Sequence, residues 1–157
     1  MTDELALKRF LIRTALPADL RAVSLIEDDS FPSPYPPELF KKLLQEHGDS
    51  FFIAEEVSGK TVGYGLATRD GRFAHLISIA VLREHRRKGA AGALLQHIVE
   101  YMARHGVDEL WLEVNTGNKE AIELYQKFGF SRMMILENYY SDGAPALRMR
   151  LALNKEA

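Results

Sequence analysis

Arg83-Glu84-His85-Arg86-Arg87-Lys88-Gly89-Ala90-Ala91-Gly92 sets four strong bases in six positions and follows them with four small residues. Ala91, Leu94, Leu95, Ile98 and Met102 then recur at helical spacing, which predicts a helix over 89–105. A helix start exposes free N–H groups at the positive end of the dipole and so attracts an anion. Glycine and alanine let a phosphate approach the backbone, and the bases add charge. A solvated basic turn ahead of a small-residue packing face would use the same residues. The stretch is neither a P-loop nor a dinucleotide fingerprint: GxxxxGK[ST] is missing, and Gly63-Tyr64-Gly65 lacks the third glycine and falls in a predicted hairpin. NTP hydrolysis and hydride transfer are therefore poor fits.

Upstream of this stretch, Phe73–Val81 reads as a strand, preceded by a hairpin of Phe51–Val57 and Thr61–Thr68 about Ser58-Gly59-Lys60, with a turn at Arg69-Asp70-Gly71. Further back, Phe10–Ala15 alternates like a first strand. Pro17 opens a helix with Leu20, Val23, Leu25 and Ile26 as its apolar stripe. Glu38–His47 predicts a second helix, with Phe40, Leu43 and Leu44 inward and Gly48 as its stop. Phe31–Pro37 (FPSPYPP) holds four of the six prolines and reads as an ordered loop. Downstream come a strand at Glu109–Val114, a helix at Asn118–Phe128 capped by Asn118, and strands at Phe130–Leu136 and Ala144–Leu153. Pro145 lacks an N–H and marks a strand start or a sheet edge. The order βα, α, βββ, αβ, αββ predicts a mixed α/β (α+β) sheet flanked by helices, since the hairpin run does not fit a doubly wound sheet.

The 157 residues carry a net charge of −2, with 20 Lys+Arg against 22 Asp+Glu, so a general affinity for nucleic acid is not expected. The length favours a single domain over 1–157. There is no cysteine, which excludes a disulfide, a thiolate metal site and a Cys nucleophile. His47, His75, His85, His97 and His105 show no ligand spacing, so no metal is expected. The start, MTDELALKRF, places acids before its first base and reads as no signal peptide. With no long apolar run for a membrane span, a soluble cytoplasmic protein is expected. Glu27-Asp28-Asp29 and Glu55-Glu56 read as solvated faces, and Met133-Met134 as core filling.

Arg86-Arg87-Lys88-Gly89-Ala90-Ala91 resembles the Q/R-x-x-G-x-G/A signature of the GNAT superfamily of N-acetyltransferases. Asn118-Lys119-Glu120-Ala121-Ile122-Glu123-Leu124-Tyr125-Gln126-Lys127-Phe128-Gly129-Phe130 resembles a second family element, N-x-x-A-x-x-L-Y-x-x-x-G-F. The resemblance covers nearly the whole chain. It implies a mostly antiparallel sheet of about seven strands with four helices, and acetyl-CoA as the cofactor. The coenzyme's pyrophosphate would lie on Arg86, Arg87, Lys88, Gly89, Ala90, Ala91 and Gly92. Its pantetheine arm would run between Ile79–Leu82 and Glu109–Val114, meeting backbone groups at Ile79, Ala80 and Val81, and Asn118 as well. Backbone N–H groups at that opening would stabilise an oxyanion.

More local matches, His75–Val81, Leu112-Glu113-Val114 and Asn138-Tyr139-Tyr140-Ser141-Asp142-Gly143, are similar to the protein N-terminal acetyltransferases, among them the RimI and archaeal Ard1-like groups. The sequence departs from that pattern at Asn115, Gly117 and Ala144-Pro145, which bears on peptide preference. The resemblance implies transfer of acetyl to a protein α-amine by direct attack in a ternary complex. Phe31, Tyr35, Tyr139 and Tyr140 would wall the peptide slot, with Glu27 helping to recognise the terminus. Aromatics in such loops also serve as simple covers for a core.

Attack on a thioester needs a neutral amine, and an α-amine with pKa about 7.7–8.0 asks less of a base than Lys at about 10.4. Glu113 lies in an apolar strand on the face of Trp111 and Asn115, where desolvation is expected to raise its pKa toward that of a base, and the resemblance implies Glu113 as the base, acting through water with His75 assisting. An ion pair with a nearby Arg or an exposed strand end are the alternatives. His75 is either an auxiliary base or a structural group. Tyr125 matches the tyrosine that protonates the departing thiolate in this family, and core packing with Ile122 competes with that role. The partner expected is a protein or peptide N-terminus, with no nucleic acid or membrane, for a monomer or weak homodimer open to an auxiliary subunit or the ribosome. The competing functions are acetylation of a small amine or of Lys side chains, and a non-catalytic acyl-CoA sensor.

Overall fold

A computed structural model of the chain describes residues 9–154; the reading of the chain start falls on residues 1–8, outside them. Among the described residues seven strands and four α-helices follow in sequence: β1 (Phe10–Thr14), α1 (Leu20–Ser30), α2 (Pro37–His47), β2 (Phe51–Glu56), β3 (Thr61–Asp70), β4 (Phe73–Val81), α3 (Ala90–Arg104), β5 (Glu109–Asn115), α4 (Lys119–Lys127), β6 (Ser131–Leu136) and β7 (Ala146–Ala152). The sheet order is β1-β2-β3-β4-β5-β7-β6. The registers of β1 with β2, β2 with β3, β5 with β7 and β6 with β7 are antiparallel, and that of β4 with β5 is parallel. The chain divides into two compact units, one of residues 9–68 and 77–101, the other of residues 69–76 and 102–154.

In the first unit β2 is buried on both faces, which is why Phe51–Ala54 is an unbroken apolar run. Phe51 and Ile53 join Val23 and Ile26 of α1, Phe40 and Leu43 of α2, and Tyr64 and Leu66 of β3 in one cluster. Phe40 meets the Tyr64 ring edge-on at 5.5 Å. The opposite faces turn toward α3, with Phe52 edge-on to Tyr101 at 6.4 Å. Gly65 permits this close approach: a Cβ there would lie 3.0 Å from Ile98 and 3.5 Å from Leu94, both of α3. Arg13 clamps the start of α1 to the sheet, its guanidinium bonding Asp19 at 2.7 and 2.8 Å and Glu55 at 3.1 Å.

The stripe of α1 is narrower than its spacing predicts. Leu25 is exposed, and Glu27 is buried in its stead. Gly48 does not take a left-handed stop; with φ −59° it continues into a short 3-10 turn, Gly48–Ser50. The third turn also moves, since β3 runs on through Asp70 before the chain reverses at Gly71.

In the second unit Leu110, Leu112 and Val114 of β5 alternate inward and pack with Ile122, Phe130, Leu147, Met149 and Leu151, all buried. Asn118 caps α4 through its side chain, which accepts from the Ala121 N–H at 3.2 Å. Pro145 stands just ahead of β7, and its carbonyl accepts from the Thr116 N–H at 3.2 Å. Met133 and Met134 do not fill a core. They lie exposed on β6, the last strand of the sheet, where neighbours are few. Among the described residues no helix is long and apolar enough to cross a membrane.

Candidate active site

The register of the second unit assembles a polar cluster on one face. Glu113 of β5 stands opposite Arg148 of β7, and Trp111, on the same face, stands opposite His75 of β4. Glu113 Oε1 lies 2.6 Å from His75 Nε2, and its Oε2 accepts from Arg148 Nε at 2.9 Å. The Tyr139 hydroxyl donates to Oε1 at 3.4 Å. His75, Trp111, Glu113 and Arg148 line an open cavity of about 340 Å³. The Glu113 side chain is only 8% exposed while that of His75 is 43% exposed, so the acid is the inner member of the pair.

The ionisation of Glu113 runs opposite to the expectation from its apolar strand. Burial does push its carboxyl up, but the His75 ring and the Arg148 guanidinium together push it further down, below the ordinary glutamate range. Glu113 is therefore a carboxylate at neutral pH and a pure acceptor. Because an ionised carboxylate only accepts, the proton in the 2.6 Å contact is carried by His75 Nε2, and Nδ1 is the ring's other nitrogen.

Tyr125 of α4 is buried, edge-on to Phe130 at 5.6 Å, with Ile122 buried on the same helix, so the packing role is realised. Burial, with Tyr140 adding to it, pushes its phenol well above the ordinary tyrosine value, and the side chain remains an O–H donor. Tyr139 and Tyr140 form an edge-on pair at 5.0 Å. Tyr139 is exposed and Tyr140 half-buried.

The basic stretch belongs to the first unit and divides in two. Arg86 turns inward: its Nε donates to the Val81 carbonyl at 2.8 Å, and a terminal nitrogen donates to Ser30 Oγ at 3.2 Å. Arg83 N–H donates to Asp29 at 3.3 Å. Arg87 and Lys88 are exposed. Arg87 and Gly89 both have positive φ, 63° and 93°, which bends the chain just before α3 begins at Ala90. Ala90 is buried against the core, and Ala91 and Gly92 are half-buried, so the first turn of α3 carries no bulky side chain over its N–H groups. Exposed cations beside a bare helix start fit a diphosphate. On β4, Ala80 and Val81 are buried and Ile79 half-buried.

Around the proline loop, Phe31 packs partly buried on the apolar cluster, and the exposed Tyr35 ring stands edge-on to Phe40 at 6.3 Å. Glu27 is not part of a solvated face. It is 2% exposed, whereas Asp28 and Asp29 are exposed as read.

The sequence pattern does not single out Arg148, which with His75 holds the charge of Glu113, nor Tyr64 and Ser78, which contact Glu27. The only signal for Arg148 is Arg148 and Arg150 alternating with Leu147, Met149 and Leu151 along a strand. Tyr64 and Ser78 carry no signal of their own beyond strand alternation.

Residues 20–130 match the Acetyltransferase (GNAT) family, and the chain belongs to that family. It is thereby an N-acetyltransferase that takes its acyl group from acetyl-CoA. Its similarities fall on the N-alpha-acetyltransferase branch, near the archaeal Ard1-like proteins. It is 35% identical to the N-alpha-acetyltransferase of Sulfurisphaera tokodaii, over 93% of this chain and 95% of the relative. It is 33% identical to the ribosomal protein bS18-alanine N-acetyltransferase of Escherichia coli, over 78% of this chain and 81% of that one. The solved structure of Ard1 from Thermoplasma volcanium superposes with a TM-score of 0.88 at 30% identity, covering 94% of this chain and 99% of that one.

Proposed function

We propose that the chain acetylates the α-amine of protein N-termini, with His75 as the base that takes the amine's proton. The observation that carries this reading is the His75–Glu113 contact at 2.6 Å in an open cavity. An imidazole presenting its outer nitrogen is a base suited to an α-amine, which is far less basic than the amine of lysine. Glu113 and Arg148 hold the ring's orientation and charge, and Glu113 neutralises the imidazolium once it forms. The names of the archaeal and bacterial relatives support the same substrate class.

When bound, acetyl-CoA supplies an activated thioester carbonyl for the amine to attack. Arg87, Lys88 and the first N–H groups of α3 bind the diphosphate, and Arg86 holds the bend in shape through Val81 and Ser30. The N–H groups of β4 near Ile79, Ala80 and Val81 bind the pantetheine arm. Tyr125 O–H donates its proton to the departing sulfur. Phe31 and Tyr35 of the first unit wall the peptide slot.

The test is thiol release from acetyl-CoA in the presence of peptides varied at their first and second residues, against N-terminally blocked lysine peptides and polyamines. Turnover of free N-terminal peptides above the other amines is the expected result. Turnover confined to lysine or small amines overturns the substrate reading, and binding of CoA without release overturns catalysis. The two halves of the basic stretch separate in calorimetry. Arg87→Ala with Lys88→Ala is expected to weaken CoA binding about 10-fold and to flatten its salt dependence, because exposed charges on a diphosphate are screened. Arg86→Ala is expected to weaken binding with the salt slope little changed, because its charge is paired with Asp29 at 4.0 Å and its N–H groups are held by Val81 and Ser30.

A further inference from the structure

Glu27 is a buried acid in an otherwise apolar cluster of the first unit. Its Oε1 accepts a short hydrogen bond from the Tyr64 hydroxyl and lies 3.5 Å from Ser78 Oγ, itself 2.9 Å from the Tyr64 hydroxyl. Its Oε2 accepts from the Tyr35 N–H at 2.9 Å. Burial pushes the Glu27 carboxyl up against these three stabilising contacts, and the net direction is upward. An acid in such a place is costly unless its acceptors are used. Here they reach the proline loop. Of the seven residues Phe31–Pro37, four are prolines without an N–H, which leaves Phe31, Ser33 and Tyr35 as the only backbone donors. Glu27 takes two of those three: its main-chain carbonyl accepts from Phe31 at 3.1 Å and its side chain from Tyr35 at 2.9 Å.

We propose that Glu27 is a positioning residue for the acceptor peptide: from inside the fold it pins the main chain of the proline loop at both ends and so sets the wall on which the first residues of the substrate lie. It does not meet the substrate's amine, since it is buried and both of its carboxylate oxygens are engaged. Tyr64 and Ser78 hold the carboxylate at its inner oxygen, so the chain of contact runs from β3 and β4 through Glu27 to Tyr35. This role rests on the reading of the chain as an N-terminal acetyltransferase.

The test is steady-state kinetics on the full chain with an acceptor peptide, with the KM of peptide and of acetyl-CoA and the kcat determined separately, and the melting temperature alongside. Glu27→Gln replaces one acceptor oxygen by a donor, which then faces either the Tyr35 N–H or the Tyr64 O–H. The peptide KM is expected to rise about 10-fold, with the KM of acetyl-CoA and the kcat each within about twofold of wild type. Tyr64→Phe keeps the ring in the cluster and is expected to raise the peptide KM about threefold, an increase that vanishes in the Glu27→Gln background because Tyr64 acts only through the carboxylate. A lower melting temperature with both KM values unchanged overturns the proposal, as does an equal fall in kcat for all acceptors. Should Glu27→Gln fail to fold, Tyr64→Phe decides: an unchanged peptide KM overturns the role. A wild-type chain inert toward peptides removes the substrate reading and this role with it, whereas an active wild type with an unmoved KM in the variants removes the role of Glu27 alone.

Discussion

Glu113→Gln is expected to lower kcat by about 10²–10⁴-fold near pH 6 to 7, and by less toward pH 9, where the substrate amine has lost its own proton. The size follows from what the carboxylate holds. It fixes the Nε2 proton of His75 at 2.6 Å and accepts from Arg148 at 2.9 Å, so an amide frees the ring to turn and leaves a guanidinium without its counter-charge. The pH dependence follows from the substrate. A carboxyl held below the ordinary glutamate range stays ionised throughout, so Glu113 itself does not titrate between pH 6 and 9. The loss fades because rising pH deprotonates the substrate amine directly and leaves less for any base to do. His75→Ala measured beside Glu113→Gln separates the two. A His75 variant with full kcat at pH 7 would make Glu113 itself the base and displace His75.

Tyr125→Phe is expected to lower kcat about 10- to 100-fold, with the KM of peptide and of acetyl-CoA nearly unchanged. Because burial holds its phenol protonated well past neutrality, Tyr125 is an acid throughout the working range and contributes only when a proton is needed at sulfur. The effect is smaller than for Glu113 because a thiol of pKa about 8.5 already leaves tolerably as the thiolate. Phenylalanine retains the edge-on packing with Phe130, so the melting temperature should stay close to wild type. A variant with full kcat would reduce Tyr125 to the packing role its helical spacing also suggests.

Nearly every element was legible before any coordinate, for reasons local to the chain. Phe73–Val81 alternates buried and half-buried residues along its length, and the period of residues 91–102 follows one face of α3. Asn118 caps the helix it precedes because its short side chain reaches the Ala121 N–H without help from the rest of the fold. The misreadings have a common cause, which is that a pattern states which residues share a face but not what covers that face. Met133 and Met134 are apolar and strand-forming, yet β6 is the last strand and leaves them exposed. Glu27 stands in an acidic triplet, yet the turn of α1 carries it inward and Asp28 and Asp29 outward.

Local patterns along the chain set the order of strands and helices, the bend of small residues at the start of α3, and the types of side chain available for proton transfer. These depend on backbone preferences and on neighbours three or four residues away. The tertiary structure decided the charge of Glu113 and the reach of Glu27. Those depend on partners brought from afar, with Arg148 arriving 35 residues later in the chain and His75 38 earlier, and Tyr64 standing 37 residues beyond Glu27. An ionisation equilibrium responds to the field of groups within a few ångströms, and only the strand registers determine which groups those are.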